Sequence, residues 1–359
     1  MQYPKAGTTN SACRVGVIAA NGGETVWMKT PGDPRETYVP RMEWHPDGEE
    51  LMLQWLPRAQ NHLVVYGANA ATGEVRVVHE ERDEAYVDVR DDFRWVDGGK
   101  EFLWTSDTAF TPDDGRHVRR LGTVHWTEKS QRSPEHLPTA RVLPLSKSQD
   151  VLAVSFIDFG NRYWVLQSGS AATNTALFAL DTEWRFIPPN TLETGSPIRL
   201  TPNEEQGWHE YDVSPDGSLA IHTYSRFDVP PVIDVVRLPT HERVRVLVDN
   251  ERLRTRYAEI TKGENAFFQV ETESGHTLDG WVMYPPGFDD TKQWPVVFYV
   301  YGEPWSQTVK DTWSLPHHLF HRWLTQLGYV VMSIDARGTP APKGRDWRKA
   351  LFQKIGITS

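Results

Sequence analysis

The chain has 359 residues, 39 % of them hydrophobic and 15 of them tryptophan, which supports two domains with cores of their own and excludes a disordered polymer. Its formal net charge of −10 is spread along the sequence, which favours solubility and argues against a nucleic-acid partner. One cysteine, Cys13, excludes an internal disulfide and a multi-cysteine metal site; no apolar run approaches the ~20 residues of a membrane span, and Tyr3-Pro4-Lys5-Ala6 lacks the apolar stretch of a signal peptide.

Residues 1 to about 250 read as short alternating strands separated by turn signals, with no long helix. Three segments resemble one another: Met42 to Gly48, Phe93 to Gly98 and Tyr211 to Gly217. Each puts an apolar strand before an Asp-Gly turn and a second strand after it: Glu50 to Trp55, Glu101 to Trp104 and Leu219 to His222. Asp-Gly between alternating runs is a strong hairpin signal. A weaker copy pairs Leu143-Pro144-Leu145-Ser146 with Val151 to Val154. A hairpin repeat near 50 residues predicts a β-propeller, with about five blades before residue 250. A β-sandwich with coincidental turns is the alternative.

Residues 251–262 read as the connection out of the propeller, and 263–359 as the start of an α/β domain. Phe267 to Thr272 and Thr277 to Tyr284 form a hairpin pair. Val296 to Tyr301, continuously apolar, reads as a strand buried on both faces. A helix follows from about His318 to Leu327, with Leu319, Phe320, Trp323, Leu324 and Leu327 at helical spacing and Gly328 as its stop. The strand Tyr329 to Ile334 then ends in Asp335-Ala336-Arg337-Gly338, and a last amphipathic helix covers Arg345 to Ile355. Chemistry in such sheets sits past the carboxyl ends of the strands, here Tyr301-Gly302-Glu303-Pro304 and Asp335 to Gly338.

These motifs carry a resemblance. Tyr301-Gly302-x-Pro304-x-x-Gln307, then Gly328-Tyr329-Val330-Val331 leading to Asp335-x-Arg337-Gly338, resembles the first half of the catalytic domain of prolyl oligopeptidase (S9) family serine peptidases. The dipeptidyl peptidase IV branch is the closer match, with Met283-Tyr284-Pro285-Pro286-Gly287-Phe288 and Tyr3-Pro4-Lys5-Ala6-Gly7-Thr8 as further hallmarks. The resemblance implies an eight-bladed propeller, of which this chain holds part, followed by a truncated α/β hydrolase domain. It implies release of N-terminal dipeptides, Xaa-Pro or Xaa-Ala, from peptides with a free N-terminus. The route is a Ser-His-Asp acyl-enzyme, in a full-length protein that pairs as a homodimer. Acylaminoacyl peptidase or oligopeptidase specificity stays open within the family.

Such a hydrolase needs its serine on a Gly-x-Ser-x-Gly elbow, and none occurs here. Gly169-Ser170 and Gly195-Ser196 lack the second glycine. By the resemblance the triad lies beyond Ser359, so the chain is expected to be inactive alone. One catalytic group is expected within it: Tyr301, whose hydroxyl would donate to the oxyanion. Glu303 departs from the family's usual glycine. Trp305 and Gln307 are placed on the leaving-group side, Trp305 as a substrate contact with plain packing as its alternative. Asp335 and Arg337 are expected to pair internally and fix the loop after their strand. Glu204-Glu205 lies in a polar turn and reads as solvated. His317, His318 and His321 have helical spacing but no further ligand nearby, so no zinc site is expected. No cofactor motif is present. A non-catalytic propeller that binds peptides or proteins is the rival reading. An unpaired Val296 to Tyr301 would be an exposed, aggregation-prone edge.

Overall fold

The computed structural model describes residues 5–108, 119–126, 141–142, 150–157, 162–168, 171–181, 198–314 and 317–357. The chain divides into two compact units, the first carrying the strands up to Val142 and the second everything from Val151 onward.

In the first unit β1 (Gly16–Val17) pairs with β2 (Val26–Trp27). Next come β3 (Thr37–Trp44), β4 (Glu50–Pro57), β5 (His62–Asn69) and β6 (Val75–Arg82), a four-stranded antiparallel meander. Strands β7 (Arg94–Val96), β8 (Glu101–Ser106), β9 (Arg120–His125) and β10 (Arg141–Val142) make the second. The second unit opens with two more: β11 (Val151–Ile157) to β12 (Arg162–Ser168), β13 (Thr175–Asp181) and β14 (Ile198–Arg199), then β15 (Trp208–Val213), β16 (Leu219–Arg226), β17 (Val229–Arg237) and β18 (Glu242–Val248). Four four-stranded meanders and a strand pair are propeller-type sheets, in line with the repeat read from the turns.

The Asp-Gly turns sit where the repeat puts them, joining the first two strands of their sheets. Gly48 and Gly217 have φ of +76° and +70°, a region that a side chain rarely adopts. Each donates its N–H back three residues, to the carbonyls of His45 and Ser214, and Asp47 and Asp216 accept bonds from the residues that follow. The weaker copy is only half visible. Leu143 to Ser146, like Gly169-Ser170, Gly195-Ser196 and Tyr3-Pro4, lies outside the described residues.

After α1 (Glu251–Ala258), β19 (Asn265–Glu271) and β20 (Thr277–Met283) form the expected antiparallel pair. Then come β21 (Val296–Phe298), α2 (His317–Gln326), β22 (Val330–Ile334) and α3 (Arg345–Arg348). The sheet order is β19-β20-β22-β21, with β21 parallel to β22. Among the described residues no helix is long and apolar enough to cross a membrane.

Three expectations are corrected. First, Val296 to Tyr301 is not buried on both faces. With β22 on one side only among the described residues, β21 is the exposed edge strand that an unpaired Val296 to Tyr301 was expected to be, and Val296, Phe298 and Val300 are 49 %, 55 % and 66 % exposed. Second, α2 forms where expected but turns its apolar stripe outward: Leu319, Phe320, Trp323 and Leu327 are exposed, while His318, His321, Arg322 and Thr325 are buried. Third, the last helix stops at Arg348. Single-turn bonds replace it, from Phe352 N to the Lys349 carbonyl and from Lys354 N to the Leu351 carbonyl. Gln353 has φ +55°, which ends a helix, and Ile355 and Ile357 are exposed.

Phe227, in the loop between β16 and β17, shares one core with Trp281, Met283, Val309 and Val331. That core joins the last meander to the mixed sheet, within a single unit.

Candidate functional site

Strand β21 continues for one residue past Phe298, Tyr299 donating its N–H to the Met332 carbonyl at 2.8 Å. Tyr301 follows at the carboxyl end, half-buried, with no hydrogen-bond or ring partner among the described residues. Glu303 is exposed, and Trp305 is 79 % exposed. This stretch is loosely held.

The next stretch is held from two sides. Gln307, buried, donates to the carbonyls of Val309 at 2.8 Å and Ala172 at 3.1 Å. Asp311 donates its N–H to the Thr173 carbonyl at 2.9 Å and accepts the Phe227 N–H at 2.8 Å. Ser225 Oγ lies 2.7 Å from Thr312 Oγ1. These bonds tie 307–313 to the propeller sheets of β11–β14 and β15–β18. So Gln307 is an anchor of the loop, whereas Trp305 stands out from it.

From the other side comes Asp335. Its Oδ1 accepts the Thr308 N–H and the Thr308 hydroxyl, both at 2.8 Å, and its Oδ2 accepts the Val309 N–H at 3.2 Å. The expected pair with Arg337 is therefore replaced: Asp335 fixes the loop after β21, not the loop after its own strand. Burial pushes its carboxyl up despite these bonds, which favour the charged form. Gly338, at the end of that motif, has φ +96°, and a Cβ there would stand 2.2 Å from Leu351 Cγ. Only glycine fits.

Below the loop lies a network that the motif reading missed. Arg322 Nη2 donates to both carboxylate oxygens of Asp228, at 2.8 and 3.0 Å, and its Nε donates to the Tyr257 hydroxyl at 2.9 Å. Tyr257 donates to Asp228 Oδ1 at 2.5 Å, and His318 Nε2 lies 2.8 Å from the same hydroxyl. Burial would raise the Asp228 carboxyl, but hydrogen bonds from His318 and Tyr257 and the Arg322 charge hold it well below the usual range. The Tyr257 phenol is raised, by burial first and by Asp228 second. A signal was available: His318, His321, Arg322 and Thr325 recur at i, i+3, i+4 and i+7, a polar stripe at core spacing.

The three α2 histidines do not assemble as ligands. His318 stacks on Trp313 with ring centres 4.1 Å apart, and His321 packs between Trp281 and Tyr299. Burial, then the charges of His317 and His318, bring the His321 pKa down to about 4. A different group does converge. Glu205, His222 and His241 bring one ligand atom each to within 4.8 Å of one another. Glu204 is exposed, but Glu205 is turned inward, which corrects its reading as part of a solvated turn.

Residues 1–231 match the family described as the dipeptidyl peptidase IV (DPP IV) N-terminal region. A protein of Paracoccidioides lutzii named "Probable dipeptidyl-aminopeptidase B" is 25 % identical over 354 residues, covering 94 % of this chain and 36 % of that protein. One of Arthroderma benhamiae named "Probable dipeptidyl peptidase 4" is 28 % identical over 372 residues, covering 99 % and 43 %. The crystal structure of Porphyromonas gingivalis dipeptidyl peptidase 4 superposes with a TM-score of 0.82 at 24 % identity, over 99 % of this chain and 46 % of that one. The chain thus spans less than half the length of each.

Proposed function

This chain belongs to the family of dipeptidyl peptidase IV N-terminal regions, and on that footing we propose that it is part of a serine exopeptidase that releases N-terminal dipeptides. In this reading residues 1–250 form the propeller part, 251–262 the connection and 263–359 the first part of the hydrolase domain. The observation that carries it is the match of residues 1–231, more than half of the chain, to that family.

The substrate is a peptide with a free N-terminus and proline or alanine at its second position. The Ser-His-Asp triad comes from outside these 359 residues, since no Gly-x-Ser-x-Gly occurs within them. Tyr301 supplies a hydroxyl to the oxyanion of the tetrahedral intermediate. Its place just past the carboxyl end of β21 supports that role, as does a hydroxyl with no competing partner among the described residues. One preorganised donor of this kind contributes about 2.7–4 kcal/mol to the transition state. Glu303 is exposed, so water screens its carboxylate. Trp305, also exposed, is a side chain that an incoming peptide would cover. The working form is a homodimer.

The test is hydrolysis of a Gly-Pro chromogenic dipeptide by this chain and by the product of the whole reading frame that encodes it. Activity only in the latter supports the peptidase. A folded whole protein inert on dipeptide, acyl-peptide and internal-proline substrates would make the propeller a binding module instead.

A further inference from the structure

The sheet β15–β18 buries a column of stacked rings outside the site above. His209 on β15 and His222 on β16 lie with ring centres 5.2 Å apart and planes within 7° of parallel. His222 Nδ1 is 3.0 Å from Asp234 Oδ1. A carboxylate only accepts, so that nitrogen carries a proton, and in the neutral ring Nε2 keeps its lone pair. His209 Nε2 is 2.9 Å from the Glu205 carbonyl, which also only accepts, so His209 Nδ1 keeps its lone pair too. These two lone-pair nitrogens face each other at 2.9 Å. That approach is repulsive unless a proton or a metal ion lies between them.

Other groups converge on the same place. His241 is held with φ +57°, unusual for a residue with a side chain, in the turn between β17 and β18. Its Nε2 lies 2.9 Å from the Tyr211 hydroxyl. Glu205 Oε2 is buried with no hydrogen-bond partner among the described residues. An orphaned buried carboxylate oxygen is costly unless something unseen satisfies it.

We infer that Glu205, His222 and His241 bind one divalent transition-metal ion, zinc by its ligand set, with His209 Nδ1 as fourth donor. Imidazole and carboxylate are zinc donors, and two nitrogens on one tetrahedral zinc at about 2.0–2.1 Å stand about 3.3 Å apart. The 2.9 Å contact needs to open only slightly. Asp234, itself paired with Arg243 at 2.5 Å, orients His222 from behind as carboxylates do for metal-bound histidines. The ion would clamp the 202–206 turn and the β17–β18 turn onto the sheet.

The experiment uses the whole chain, stripped with a chelator and titrated with Zn²⁺ by calorimetry and with Co²⁺ by visible absorption. One ion per chain, tetrahedral Co²⁺ bands and a higher melting temperature with Zn²⁺ are expected. Glu205→Gln and His241→Gln should each weaken binding by ~10²-fold or more, and His317→Gln on α2 should leave it unchanged. If His241→Gln unfolds, Glu205→Gln at the rim of the cluster decides. Absence of saturable uptake overturns the assignment, as does uptake that survives Glu205→Gln.

Discussion

Arg322 and Asp228 lie 94 positions apart in sequence, yet one guanidinium nitrogen reaches both carboxylate oxygens, at 2.8 and 3.0 Å. The arginine side chain is 1 % exposed and the aspartate 32 %. One sits on a helix of the mixed sheet, the other in a loop of the last propeller meander. Removing the arginine takes two charged hydrogen bonds from Asp228 and one from the Tyr257 hydroxyl. Arg322→Met should cost about 3 kcal/mol, the low end for a broken buried pair because water still reaches Asp228. Urea unfolding of the chain measures it. Arg322→Lys should recover little, since an ammonium cannot serve Asp228 and Tyr257 with the same fork.

Stability should also fall on mild acidification, through α2. His321, held near pKa 4, stays neutral in the folded chain while the unfolded chain binds a proton near 6.5. His318 is shifted the same way, by burial first, with Asp228 opposing. The unfolded state therefore takes up protons first, and stability is lost as pH falls from about 6.5 toward 4. The slope is at most about 1.4 kcal/mol per pH unit for each histidine. Chemical unfolding at pH 7, 6 and 5 reads it. His321→Phe should remove one proton's worth of that slope.

Tyr301→Phe in the product of the whole reading frame should lower kcat by ~10²–10³-fold with the melting temperature unchanged. The hydroxyl holds nothing else in place among the described residues, so a loss of stability instead would assign it to structure.

The apolar edge at β21 should drive self-association. Phe298 is 55 % exposed on a strand with one free side, the arrangement that invites pairing with a second chain. Phe298→Lys should shift the 359-residue chain toward monomer in sedimentation velocity, and unchanged aggregation would point to another surface.

Much of this was legible because the signals were local. Asp47-Gly48 and Asp216-Gly217 demand their turns whatever surrounds them, and the glycine φ values show why. The motif ending in Gly338 announced a tight loop, and the 2.2 Å approach of Leu351 supplies the reason. What stayed hidden depended on partners far along the chain. Apolar spacing on α2 suggested a face turned to the core, but Asp228 and Tyr257 recruited the polar stripe instead. Arg345 to Ile355 had helical periodicity, but past the buried Leu351 its apolar residues Phe352 and Ile355 are exposed. His209, His222 and His241 sit on two strands and a turn, and the register that pairs Tyr211 with His222 stacks the first two rings, with His241 edge-on to His222.

The shared core around Phe227 bears on how the protein can be taken apart. A division between Val248 and Asn265, where the strand pattern changes, would strand Phe227 and Asp228 on one piece and Trp281, Val309 and Arg322 on the other. Neither half would keep a closed interior there. Grafting this mixed sheet onto a different propeller would therefore fail unless residues 225–228 and Tyr257 travelled with it. The unit of inheritance in this fold is the joint, and the two architectures that meet at it are not interchangeable parts.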